Sequence, residues 1–188
     1  MDRVIKIENP ELVDRVINQI QDGLANNLPW LNHVFGRAER LVKSINGKKY
    51  YEPHSYISGN EYIPLSPDSH LGNFCFFLVD DPDIINWVPG MQSGHKYPVS
   101  IVFWFNMRTI TNSANNRNIE AVKLQIMRIL NGGFWLRSGN LVFNRVYEKA
   151  ENIYKGFNID EIDNQFLMHP FAGLRFEGEI EISEPCIE

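Results

Sequence analysis

The chain has 188 residues, of which 44 % are hydrophobic and 22 % charged, a composition that excludes wholesale disorder and suffices for a domain with a proper core. A net charge of −5 without any run of Lys or Arg argues against a generic duplex-DNA reader, which carries a basic patch. No stretch approaches the roughly 20 apolar residues that cross a bilayer. "MDRVIKIENPELVDRV" lacks the apolar core of a signal peptide, and the distant Cys75 and Cys186 form neither a metal pair nor a redox motif. The expectation is a soluble product of a reducing cytoplasm.

In chain order, "NPELVDRVINQIQDGL" predicts a helix with Asn9 as N-cap, Pro10 at the first helical position and Glu11 in the first turn. At about 100° per residue, Leu12, Val13, Val16, Ile17, Ile20 and Leu24 form an apolar face. Asp14, Arg15, Asn18, Gln19, Gln21 and Asp22 cover the polar one. Asn46-Gly47 then joins two strand-like runs as a hairpin turn, because both positions favour positive φ. "EYIPLSPDSHLGN" is broken by Pro64, Pro67 and Gly72 and reads as loop or irregular edge. "FCFFLV" is apolar on both faces and reads as a buried strand. "DDPDIINWVPGMQSGHKYP" reads as a second loop with one helical turn near Ile84 to Trp87.

"VSIVFWFNM", Val99 to Met107, is the strongest strand, with Val99, Ile101, Phe103, Phe105 and Met107 on one face and Val102 and Trp104 on the other. Bulk on both faces places it centrally in a covered sheet. The polar "RTITNSANNRN" follows, suited to docking on a neighbouring subunit or to a flexible tip. "NIEAVKLQIMRILNGG" is a helix capped by Asn118 and stopped at Gly132-Gly133, with Ile119, Val122, Ile126, Ile129 and Leu130 as its stripe and Leu124 off it. "FWLRSGNLVFNRVYEK" reads as a hairpin turning at Ser138-Gly139-Asn140. "NIYKGFNIDEIDNQFLMHPFAG" is irregular, with helical character near Ile159 to Ile162. "LRFEGEIEIS" is a final strand: Phe176, Ile180 and Ile182 point one way with Gly178 leaving a gap, and Glu177, Glu179 and Glu181 point the other. The class is α+β: an antiparallel or mixed sheet with two main helices packed on it, as one domain over 1–188 with a longer loop-rich excursion at about 36–98.

Motifs for chemistry are sparse. His33, His54, His70, His95 and His169 share no metal-ligand spacing, and Asp80, Asp81 and Asp83 lack the later ligands of a calcium loop. No nucleophile elbow, phosphate loop or dinucleotide fingerprint occurs, so no enzyme, cofactor or metal is expected. Triads form in space, however, which keeps open a small enzyme using His54, His70 and Asp68 in the 54–95 region. Carboxylates about 7 Å apart on a strand face repel by only about 0.6 kcal/mol in water, so a solvated face explains the three glutamates.

The order of these elements, from the N-terminal amphipathic helix through "VSIVFWFNM", the polar excursion and "NIEAVKLQIMRILNG" to "GLRFEGEIEI", resembles the tail-terminator and head–tail completion proteins of tailed bacteriophages and prophages. The segment "YIPLSPDSHLGNFCFFLVDDP" is also similar to phage-type proteins. The likeness runs from about Val4 to Ile182 and departs between Gly36 and Pro98, leaving open a neck ring of a short-tailed phage. It implies a virion protein of the tail or neck, made in the host cytoplasm, whose copies form a ring joining tail tube to neck or portal-side proteins. DNA passes through such a ring as non-specific cargo. Glu177, Glu179 and Glu181 would then line the channel as a negative wall, and Arg108, Thr109, Asn112, Asn115, Asn116, Arg117 and Leu124 would meet the next subunit. A monomeric protein-binding adaptor is the remaining alternative, and it would show a single large apolar patch.

Overall fold

The computed structural model describes residues 2–45, 47–59, 61–86, 93–111, 117–132, 136–160, 162 and 164–184. Its strands are β1 (Val4–Ile5), β2 (His33–Arg37), β3 (Glu39–Ile45), β4 (Lys48–Ser58), β5 (Glu61–Pro64), β6 (Phe74–Val79), β7 (Ile84–Asn86), β8 (Ser93–Asn106), β9 (Asn140–Tyr147) and β10 (Phe171–Glu184). Its helices are α1 (Leu12–Asn27), α2 (Met107–Thr111), α3 (Ile119–Gly132) and α4 (Ala150–Ile153), with a 3₁₀ turn at Asn164–Leu167. The large sheet runs β1-β2-β6-β8-β10-β9, with β7 also on β8; β3-β4-β5 form a second, antiparallel sheet. The β1–β2 and β2–β6 pairs are parallel and the others antiparallel. This is the expected α+β class with a mixed sheet.

Alternation along β8 assembles the interior. Val99, Ile101, Phe103, Phe105 and Met107 meet the buried faces of α1 and α3 together with Phe176, Ile180 and Ile182 of β10. Val102 and Trp104 point the other way into a second cluster with Phe74, Phe76, Leu65, Ile153 and Tyr154. There the Trp104 ring stacks on Phe171 at 5.0 Å and on Phe74 at 5.7 Å, and its indole N–H donates to the Phe166 carbonyl at 3.1 Å. The large sheet therefore has helices on one face, and on part of the other the small sheet, α4 and the 3₁₀ turn.

Several expectations are corrected. Helix α1 begins at Leu12, after an extended Glu11 that makes no side-chain cap bond. Asn9 turns the chain with a left-handed φ of 50°, and Glu11 is held by Arg15, which also donates to the Pro10 carbonyl at 3.3 Å. Gln21, expected on the polar face, is fully buried: its amide donates to the carbonyls of Ile5 at 2.7 Å and Val34 at 3.1 Å, tying α1 to β1 and β2. Ile84–Asn86 is strand rather than helical turn, because the first residues of β8 extend down to Ser93 and offer it an edge; Trp87 lies outside the described residues. Ser138-Gly139-Asn140 does not turn a hairpin. Gln19 of α1 holds that segment, donating to Ser138 Oγ at 2.7 Å and accepting from the Arg137 N–H at 2.8 Å, and β9 pairs with β10 instead. "RTITNSANNRN" opens as α2, with residues 112–116 outside the described set. Near Ile159 to Ile162 the helical character is one turn, the Ile162 N–H on the Ile159 carbonyl at 3.0 Å.

Two local expectations are met. Gly47, with φ 77°, turns β3 into β4 in the register Ile45 to Lys48, while Asn46 lies outside the described residues. Asn118 Oδ1 accepts from the Ala121 N–H at 3.2 Å, capping α3. The loop-rich excursion expected at about 36–98 is corrected: where described, the stretch is mostly strand, because its segments pair as the β3-β4-β5 sheet and, as β6, β7 and the start of β8, join the large sheet.

The gap at Gly178 is filled by backbone. A Cβ there would sit 2.1 Å from the Val142 carbonyl oxygen and 2.8 Å from Phe143 Cα, at the point where the β9–β10 register shifts. Backbone on a neighbouring strand yields less than a side chain does, so Gly178→Ala is expected to cost about 1–3 kcal/mol. Thermal melts read this as a drop of roughly 2–4 °C per kcal/mol. Gly132→Ala, where a Cβ meets nothing within 4 Å, is the control and stays within about 1 kcal/mol of the parent.

Candidate functional site

The second face of the large sheet is covered only in part, and the chemistry of β10 follows that boundary. Trp104 and Val102 of β8 lie beneath the second layer and are apolar. Arg175 stands next to them, opposite Val102, with its side chain only 4 % exposed. Beyond it the row runs through Glu177, Glu179 and Glu181, whose side chains are 18 %, 40 % and 53 % exposed. The three carboxylates share a face as expected, and the row begins with a buried cation that the quoted pattern of glutamates left out.

Each carboxylate has a cation close by. Arg175 Nε lies 3.0 Å from Glu177 Oε1 in an ion pair not aligned as a hydrogen bond, and its Nη2 lies 3.7 Å from Asp80. The same guanidinium donates to Ser100 Oγ at 2.9 Å and to the Lys155 carbonyl at 3.3 Å. Lys96, opposite Glu181 on β8, reaches Glu179 at 2.7 Å and Glu181 at 3.2 Å. These hydrogen bonds raise the Lys96 ammonium above the ordinary lysine range. Arg145 of β9 stands opposite Glu177. Asp80, Arg145, Lys155, Arg175, Glu177 and Glu179 line an open cleft of about 500 Å³. Its three carboxylates, Asp80, Glu177 and Glu179, are matched in number by three cations, Arg145, Lys155 and Arg175, and Lys96 pairs with Glu181 outside that lining. The three glutamates expected to line a channel thus each pair with a cation of the same subunit.

Of the expected subunit-contact residues, Arg108, Thr109, Arg117 and Leu124 are described, and all four are exposed. Asn112, Asn115 and Asn116 lie outside the described residues. Thr109 is tied inward: its Oγ1 accepts from Asn73 Nδ2 at 2.8 Å and donates to the Asn106 carbonyl at 2.8 Å. Asn73 also donates to the Trp30 carbonyl and accepts from the Asn106 N–H, locking α2 to the top of β6. Arg108 and Arg117 are exposed, and Leu124 is 47 % exposed on the outer side of α3.

The histidines are dispersed. His54 is buried with its Nε2 3.6 Å from Glu52, while Asp68 spends an oxygen on the N–H groups of His70 and Leu71 at 2.8 Å each. The cleft holding Glu52 and Asp68 is lined by neither His54 nor His70. His33 meets the Asp2 carbonyl, and His95 pairs with Asp83 at 3.1 Å and stacks on Tyr97 at 5.9 Å. Asp80 and Asp83 turn to different partners, Arg175 and His95, and among the described residues no three His, Cys, Asp or Glu side chains gather as a metal site. Cys75 is fully buried and burial pushes its thiol up, the opposite of a nucleophilic cysteine; Cys186 lies outside the described residues. Against known proteins, no family model and no curated sequence matches the chain. Among the described residues no helix is long and apolar enough to cross a membrane.

Two predictions test this picture. Removing one member of a buried pair strands the other, so Arg175→Met is expected to cost about 2–4 kcal/mol in urea unfolding, and Arg175→Met/Glu177→Leu to recover part of it. A double variant as unstable as the single one would show that Glu177 is not the stranded partner. Burial also pushes the Tyr97 phenol up to about 12, with Asp83 adding to the shift, and raises Tyr154 well above its ordinary value of 10.0. A pKa raised in the folded state gives stability that is complete below pH 10 and lost as pH climbs through the folded value. Stability is therefore expected to fall between pH 10 and about 12. Tyr97→Phe/Tyr154→Phe should flatten that fall, and denaturation curves at stepped pH read it.

Proposed function

We propose that the protein is a structural subunit of a tailed-phage or prophage particle. In this reading it assembles with its own copies as a ring at the head–tail junction or tail end, between tail tube and neck or portal-side proteins. The observation that supports this is the distribution of exposed apolar side chains. Val142 lies on β9, at one edge of the large sheet; Val42, Tyr56 and Tyr62 lie on the small sheet; Ile84 and Ile85 lie on β7, and Leu124 lies on α3. A single adaptor surface would gather them into one patch. A ring subunit contacts two neighbours through different surfaces, and dispersed small patches suit that demand. Edge strand β9 adds a row of backbone groups that no other described strand pairs.

DNA passage through the ring needs a surface that does not hold phosphate. The paired charges around Arg175 and Lys96 meet that need by being neutral rather than repulsive, so Glu177, Glu179 and Glu181 contribute only as members of ion pairs. The enzyme reading gains no support from the cleft beside Glu52, which Asp68 lines without His54 or His70.

The purified protein, followed by light scattering and negative-stain microscopy across concentration, is expected to form annular particles of one diameter. Where it stays monomeric alone, mixing with tail-tube or portal protein of the same genome is expected to assemble it. A species that stays monomeric alone and with both partners would overturn the proposal.

A further inference from the structure

The twelve residues from Arg40 to Tyr51 carry four cations, Arg40, Lys43, Lys48 and Lys49, and no acid, so in a chain of net charge −5 the remainder carries −9. The fold places this charge at the far end of the β3–β4 hairpin. Val42, Lys43, Ser44, Lys48 and Lys49 are all exposed, and full burial begins only at Glu52. Neighbours on a strand alternate faces, so consecutive exposed residues mean that neither face of this end is covered. It is an arm rather than part of a layer. Arg40 lies over the Tyr51 ring at 4.0 Å and Lys43 pairs with Glu52 at 2.6 Å, whereas Lys48 and Lys49 pair with no acid among the described residues. Val42 adds an apolar side chain, 54 % exposed.

A surface of the opposite sign lies elsewhere on the same chain. Residues 80–86 are exposed except for the partial cover of Asp80 and Asp83 by their partners Arg175 and His95. Asp81 has no cation partner among the described residues. Directly after these three acids come Ile84 and Ile85, the latter 59 % exposed, on strand β7, which pairs with β8 along one side only.

We propose that the β3–β4 arm of one copy docks on segment 80–86 of the next copy, with Lys49 toward Asp81 and Val42, on the same face of the arm, against Ile85. This rests on the self-assembly reading and names its contact. Arm and acceptor are different surfaces, which is the heterologous geometry that closes a ring. The acceptor matches the arm in charge and in apolar character. A nucleic-acid backbone would use the lysines and leave Val42 without a partner.

Charge exchange tests the contact. Lys48→Glu/Lys49→Glu destroys the arm and Asp81→Lys destroys the acceptor. Each variant alone is expected to need roughly tenfold more protein for half-assembly, as the loss of about one strong charge contact implies. In an equimolar mixture every arm finds a complementary acceptor by alternation, and assembly returns toward the wild-type concentration. Raised salt weakens the wild type and the mixture alike. Circular dichroism and melting temperature establish that both variants fold. Variants that assemble like a ring-forming wild type, or a mixture that fails to rescue folded variants, overturn the arm contact and leave the ring standing. Loss of binding to duplex DNA in Lys48→Glu/Lys49→Glu with assembly unchanged identifies DNA as the occupant and also overturns it. A wild type that stays monomeric at every concentration, alone and with tail-tube and portal protein, overturns ring and arm together.

Discussion

The pairing of β8 with β10 is the constraint on which the rest of the structure depends. Each strand has 14 residues, and they run antiparallel in unbroken register from Phe171 opposite Asn106 to Glu184 opposite Ser93. A slip of one residue would turn Leu174, Phe176, Ile180 and Ile182 out of the core and drive Arg175 and the glutamates into it. The register thereby fixes which face α1 and α3 cover. It also sets Arg175 beside Ser100 and Lys96 opposite Glu181. Neither the large core nor the charged row exists without it.

The charged row in turn opposes wrong registers. Lys96 bridges two glutamates, and Arg145 stands across from Glu177 on the other side of the same strand. Exposed pairs of this kind contribute little stability each, because solvent screens them. Their arrangement on both neighbours of β10 still disfavours any pairing that places carboxylate against carboxylate. Arg175 differs, being buried at the edge of the second layer, where desolvation makes a partner obligatory.

Elements that depend on local chemistry were legible in the sequence. The apolar stripe of α1, the Asn118 cap, the turn at Gly47 and the two-faced bulk of Phe74 to Val79 and Val99 to Met107 all state their structure within a few residues. What could not be read depends on partners distant in sequence. Gln21 looks like any polar helix residue until the two-residue β1 brings the Ile5 carbonyl to it. Ser138-Gly139-Asn140 has the composition of a hairpin turn, but Gln19, more than a hundred residues earlier, captures it. Ile84–Asn86 is three residues long and is a strand only because β8 begins earlier than its apolar pattern does. At the candidate site alternation alone places the three glutamates on one face, whereas Lys96, Arg145 and Asp80 are brought in by tertiary pairing. The signal within reach was Arg175 itself, in phase with the acids.

The basic arm gains its meaning from how its base is held. Tyr51 and Asn158 exchange two hydrogen bonds, the Tyr51 N–H to Asn158 Oδ1 at 2.8 Å and the Asn158 N–H to the Tyr51 carbonyl at 2.9 Å. Just inside that point, Leu65 donates to the Pro53 carbonyl at 2.8 Å, joining the small sheet to the chain leaving β5. The hairpin is thus clamped where burial begins and is paired strand to strand from Glu39 opposite His54 to Ile45 opposite Lys48. A free loop of the same length would lose backbone entropy of about 1–2 kcal/mol per residue on being ordered by a partner. A paired arm on a fixed root has already lost most of it, so modest contacts suffice to dock it. Covering both sheet faces at the root while leaving both bare at the tip gives one chain a packed body and a pre-ordered extension.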